Sequence, residues 1–152
     1  MNSFEIYMAS DHAGIDMRAA LASMLTEQGH IVHDLGPDSA DRVDYPDYGA
    51  KLAMAMKPFS STPNIFGVLV CGSGIGISIA ANRFPWIRCA LSHDVTTAKL
   101  SRQHNDANVI AFGERLIGVA TAMDALEAFL STEFEGGRHA GRVEKLSQLS
   151  QD

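Results

Sequence analysis

Short apolar runs alternate along the chain with longer stretches whose apolar residues recur every three or four positions. FEIYMA (4–9) reads as a strand. AGIDMRAALASMLTEQG (13–29) reads as an amphipathic helix, with Ile15, Ala19, Leu21 and Leu25 on one stripe and Gly29 as its stop. HIVHDLG (30–36) predicts a second strand, and a polar loop with Asp38, Asp41 and Asp44 follows. Pro46 suits the first turn of a helix through Met56. KPFSSTPN (57–64) is too short for a linker and reads as a surface loop. The rhythm resumes with strands at IFGVLVC (65–71), WIRCALS (86–92) and ANVIAFG (107–113). Helices are expected around ISIAANR (77–83), VTTAKLSRQH (95–104), GVATAMDALEAFLST (118–132) and from about Gly141 to Gln148.

Strands alternating with helices call for a parallel sheet covered on both faces. The expectation is an α/β fold: a Rossmann-like three-layer sandwich on a five-stranded parallel sheet, with residues 1–152 as one domain. The length of 152 residues is enough for a single sizeable core. Apolar and charged contents of 46% and 20% argue against disorder. A formal charge of -6 argues against nucleic acid as a partner, yet leaves room for a local basic pocket that holds a small anion. No apolar run is long enough to span a bilayer, and the N-terminus lacks the pattern of a secretory signal. With two cysteines and no C-x-x-C, the expectation is a cytoplasmic protein with reduced thiols, no membrane association and no zinc ribbon.

In open parallel sheets, ligands collect beyond the carboxyl ends of the strands. That rule selects Ser10-Asp11-His12, Cys71-Gly72-Ser73-Gly74 and the polar residues after the fourth and fifth strands. Gly72, Gly74 and Gly76 give G-x-G-x-G, but Ile77 stands where a dinucleotide fingerprint needs glycine or alanine. No Walker A lysine follows. Backbone N–H groups in such a turn converge on an anion, and the same setting favours a thiolate at Cys71. A buried inert thiol is the competing reading. Arg138 and Arg142 would share one helical face and could clamp a phosphate or form a solvated basic patch. His104-Asn105 follows a helix and suits a cap and surface histidine, while His30 and His33 read as surface residues. The histidines form no H-x-x-x-H or H-E-x-x-H pattern, so no metal is expected.

Taken together, SDHAG (10–14), DYPDY (44–48), VCGSGIGISIAANR (70–83), SRQHNDANVIAFGER (101–115) and EGGRHAGRV (135–143) resemble the ribose-5-phosphate isomerase B family and the related galactose-6-phosphate isomerase subunits. The resemblance extends over nearly the whole chain. It implies a cofactor-free and metal-free aldose–ketose isomerase working as a homodimer or dimer of dimers, with sites between subunits. It makes Cys71 the base that moves a proton between C2 and C1, with Ser73 handling hydroxyl protons. Backbone groups of Gly72, Gly74 and Gly76 would stabilise the enediolate. His104 and Asp11 would open the furanose ring, aided by Tyr45 and Asn105, and His12, Arg138 and Arg142 would hold the phosphate. Another branch carries a glutamate base where this chain has Ile77, so the chain resembles the cysteine branch. The helix from about 141 is expected to pack on a partner subunit. Ribose 5-phosphate is the first expected substrate; allose 6-phosphate, galactose 6-phosphate and erythrulose 4-phosphate are alternatives, as is a non-catalytic sugar-phosphate-binding protein.

Overall fold

The computed structural model describes residues 2–149, so residue 1 and residues 150–152 of the expected domain lie outside the described residues. The element order is β1 (Glu5–Ser10), α1 (Ile15–Glu27), β2 (Ile31–Asp34), α2 (Tyr45–Met56), β3 (Ile65–Cys71) and α3 (Ile75–Ala81). β4 (Cys89–Leu91), α4 (Val95–Asn105), β5 (Val109–Gly113), α5 (Val119–Ser131) and α6 (Ala140–Gln148) complete it. The strands form one sheet in the order β2-β1-β3-β5-β4, with every pairing parallel. The chain leaves β1 toward one edge and β3 toward the other, so a crevice opens where the carboxyl ends of β1 and β3 part company.

Strict alternation along the central strands builds the two layers. Ile6, Met8, Val68, Val70, Ile110 and Phe112 face α1, α4 and α5, packing on Met17, Leu21, Ala98 and Phe129. Ala9, Leu69, Cys71, Val109 and Ala111 face the other way, onto Leu52 and Ala53 of α2 and Ile77 and Ala81 of α3. Burying a side chain the size of Phe112 or Phe129 stabilises by roughly 1.5–3 kcal/mol each. The result is the expected Rossmann-like three-layer sandwich.

Two predicted boundaries move, each for a local reason. The fourth strand is only three residues long, although its apolar stretch begins at Trp86. Asn108 takes up the backbone of that stretch: its Oδ1 accepts Arg88 N–H at 2.8 Å and its Nδ2 donates to Trp86 O at 2.9 Å. The indole of Trp86 donates to Ala53 O at 2.7 Å, tying the segment to α2 rather than to the ladder. The third helix begins at Ile75, two residues earlier than the pattern suggests, because Gly74 ends the turn in a left-handed conformation.

Gly14, in the single 3₁₀ turn before α1, lies against β3. A Cβ there would come 2.6 Å from Val70 O, so this residue lets the start of α1 sit directly on the sheet end. Gly14→Ala is expected to cost about 1–3 kcal/mol, the range for forced overpacking, measured by urea unfolding. At the opposite end, Phe4 N–H donates to His30 Nδ1 at 3.1 Å and the two rings stack. Burial lowers the His30 pKa, and the bond itself requires an unprotonated Nδ1. The stability this supplies is therefore present above the ordinary histidine range and lost as the pH falls through it, because the unfolded chain binds the proton first. An NMR titration should find His30 below the ordinary histidine value; a normal or raised value contradicts the assignment.

Candidate active site

Cys71 ends β3 with its side chain on the α2–α3 face, 4% exposed. The chain then reverses over Gly72 and Ser73 into α3. Gly74 has φ +77°, and a Cβ on it would lie 2.6 Å from Leu91 Cδ1 and 2.8 Å from the carbonyl carbon of Phe112. Only glycine satisfies both the backbone conformation and the space. With the turn so placed, Gly74 N–H donates to Cys71 Sγ at 3.1 Å and Ile75 N–H donates to Ser73 Oγ at 3.2 Å. Both predicted proton-handling groups thus sit under the backbone donors of one turn. On its other side the turn is held by β5: Glu114 N–H donates to Cys71 O at 2.9 Å and Arg115 N–H to Gly72 O at 3.0 Å.

Asp11 and His12 leave β1 beside this turn. Asp11 N–H donates to Val70 O at 3.1 Å, and its carboxylate accepts Ala13 N–H at 2.9 Å. His12 Nδ1 accepts Val43 N–H at 3.2 Å, which draws in the loop before α2. Buried Arg18 braces the strand end, donating to Ser10 Oγ and Pro37 O at 2.7 Å each and pairing with Asp34 at 3.1 Å. Tyr45, at the start of α2, lays its ring over Gly76, where a Cβ would meet Tyr45 Cε1 at 2.5 Å. Asp11, His12, Tyr45, Cys71, Ser73 and the three glycines therefore converge at the carboxyl end of the sheet.

The remaining predicted residues do not join them. α4 starts beyond the carboxyl end of β4 and delivers the chain to the amino end of β5. Its 11 residues span about 16 Å, so His104 and Asn105 in its last turn lie at the opposite end of the sheet from Cys71. Arg138 and Arg142 gather there too. Glu135 N–H donates to Gln103 O at 3.1 Å, drawing the segment after α5 against the end of α4. His104, Asn105, His139, Arg142, Val143 and Leu146 line a cavity of about 310 Å³. The polar residues after β4 serve a different purpose. Asp94 accepts Thr97 N–H at 2.6 Å as the cap of α4, and that bond first of all lowers its pKa.

Sequence spacing pointed to the arginine pair with His139 nearby, but not to Glu135. The His139 ring is stacked on His104 at 4.4 Å with 14° between planes, and Glu135 Oε1 is 3.7 Å from His139 Nε2 and 4.0 Å from His104 Nε2. The motif EGGRHAGRV placed His139 between two arginines, but no spacing tied it or Glu135 to His104. Ligand atoms of His104, Glu135 and His139 lie within 4.8 Å of one another, as a metal would need. Stacked rings, however, hold their in-plane lone pairs side by side instead of converging, and Arg138 Nε points at His139 Nε2 from 3.5 Å. The arrangement is better suited to moving a proton than to binding a cation.

Residues 6–146 match the Ribose/Galactose Isomerase family. The chain belongs to this family. It is 41% identical to ribose-5-phosphate isomerase B of Escherichia coli over 97% of both chains. The solved structure of ribose-5-phosphate isomerase B from Clostridium thermocellum is 42% identical, with a TM-score of 0.92 over 97% of this chain and 98% of that one. The Mycoplasma genitalium enzyme, solved with bound ribulose-5-phosphate, is 35% identical, with a TM-score of 0.94 over 100% and 99% of the two chains. The likeness to these family members covers both clusters of residues, at both ends of the sheet.

The two thiols of the chain differ in setting. Cys89 is only half-buried, and desolvation pushes its thiol strongly up, which makes it a poor nucleophile. Iodoacetamide at pH 8 should modify Cys89 at least tenfold more slowly in the folded protein than in denaturant, followed by mass spectrometry. Equal rates would contradict that upward shift.

Proposed function

We propose that this chain is an aldose–ketose isomerase that interconverts ribose 5-phosphate and ribulose 5-phosphate, without metal or cofactor, through an enediolate. The observation that carries the reading is Cys71 at a strand end, its sulfur accepting Gly74 N–H, in a chain matched over 97% of its length by a ribose-5-phosphate isomerase B. Ring opening comes first: the O1 hydroxyl gives up its proton as C1=O forms, the C1–O4 bond breaks, and O4 takes a proton. His104 and Asp11 serve these transfers, with Tyr45 and Asn105 binding hydroxyls. Cys71 thiolate then removes the proton from C2. Charge moves onto O1, where backbone donors of the Gly72–Gly76 turn stabilise it; such donors contribute about 2.7–4 kcal/mol each where measured by deletion. Ser73 carries the proton between O2 and O1, and the Cys71 thiol returns its proton to C1. His12, Arg138 and Arg142 hold the phosphate, whose binding energy positions the reacting carbons.

The separation of the two clusters supports a site completed by a second chain. We assign the complete site to a two-fold pair, in which the Cys71 end of one subunit meets the His104 end of its partner. Isologous packing of this kind brings each half to the other twice. Exposed Ile75, Ile79 and Leu91 beside the Cys71 turn, and exposed Leu146 beside the His104 cavity, supply apolar surface for it. α6 has no buried residue in its own chain and is assigned to the same interface. A homodimer or dimer of dimers follows. None of its described helices is long and apolar enough to cross a membrane, and both cysteines are free, which fits a cytoplasmic enzyme.

Ribose 5-phosphate in deuterated buffer with a chelator, followed by proton NMR, tests the chemistry. The protein should form ribulose 5-phosphate with deuterium incorporated at carbon. Cys71→Ala should lose on the order of 10²–10⁴-fold in turnover while retaining affinity for a phosphorylated sugar. Turnover left intact in Cys71→Ala would exclude this base, and no conversion by the unaltered protein would exclude the substrate.

A further inference from the structure

The cluster at the amino end of the sheet contains more than a phosphate clamp needs. His139 is 7% exposed, on a segment whose neighbours Arg138 and Arg142 are exposed. Its ring covers one face of His104 in a nearly parallel stack. Residues 104 and 139 belong to different elements, and the Glu135–Gln103 backbone bond brings those elements together. Arg138 Nε lies 3.5 Å from His139 Nε2. Burial, and after it the neighbouring His104, Arg138 and Arg142, lower the His139 pKa against the pull of Glu135, which favours the neutral imidazole. His104 keeps 39% of its side chain exposed and lines the cavity. The Glu135 carboxylate lies beside both imidazoles, at distances too long for hydrogen bonds.

We propose that His139, with Glu135, is a positioning residue: it fixes the plane of the His104 ring so that His104 can exchange protons with O1 and O4 of the closed sugar. This rests on the reading of His104 given above. A neutral aromatic platform holds an imidazole in one orientation whether or not that imidazole is protonated, which a group cycling between acid and base requires. Glu135 contributes by holding the two elements together, its N–H donating to Gln103 O at 3.1 Å.

The two sugars of the reaction separate this role from a merely structural one. Ribose 5-phosphate closes to a furanose through its 4-hydroxyl and must be opened. Ribulose 5-phosphate cannot close such a ring, because the oxygen it would use carries the phosphate. Deuterium exchange at C1 of ribulose 5-phosphate therefore reports proton removal without ring opening.

The test compares wild type, His139→Ala and His139→Phe at saturating substrate, using ribose 5-phosphate conversion and ribulose 5-phosphate exchange. The expected result for His139→Ala is at least a tenfold loss of ribose 5-phosphate conversion with exchange changed less than twofold. His139→Phe keeps the platform without the nitrogens and should recover conversion to within threefold of wild type. Equal loss of both activities in His139→Ala, or loss of neither, overturns the positioning role. So does a Phe variant as impaired in conversion as the Ala variant. Wild-type protein inactive in both assays overturns the proposed function itself, and this assignment with it.

Discussion

The architecture depends on backbone meeting backbone at the carboxyl end of the sheet. Gly14 lies on Val70, Gly74 lies on Phe112, and Gly113 lies under Ser73, where a Cβ would be 2.5 Å from the Ser73 carbonyl oxygen. Three chain segments can share so little space only because none of them carries a side chain at the contact. The same contacts bring the N–H groups of the β3–α3 turn over Cys71 and Ser73. Packing and chemistry use the same few residues there, so the position of the sulfur follows from how the sheet is closed.

A second constraint acts at the amino end of the sheet. A parallel sheet returns every crossover to the amino end, and α4 is long enough to take His104 there. The family signature runs through both ends, and within one chain they stand apart.

Most of the fold was legible in the pattern of apolar residues. The nearly continuous apolar runs at 65–71 and 107–113 translate directly into buried strands. The first helix is present, but of its expected stripe only Leu21 and Leu25 are buried; Ala19 is exposed and Met17 faces the core instead. The fourth strand was read too long because Trp86 and Ile87 are as apolar as any strand residue. What shortens it is a pair of amide groups on Asn82 and Asn108, and side-chain hydrogen bonds leave no periodicity. The site was legible as a set of motifs, and half of it by the strand-end rule alone. The division into two ends was not visible in any motif, since it arises from topology. The histidine stack was hidden for the same reason: 104 and 139 are neighbours only after α4 and α5 have both crossed the sheet.

The proposed division of labour between the two ends has a genetic consequence. If two chains pair as proposed, a chain lacking Cys71 still carries a sound His104 end, and a chain lacking His104 still carries a sound Cys71 end. When one of each assembles, one composite site receives both defects and the other receives neither. Two alleles that are each inactive alone would therefore complement within a single gene, with one working site per mixed pair.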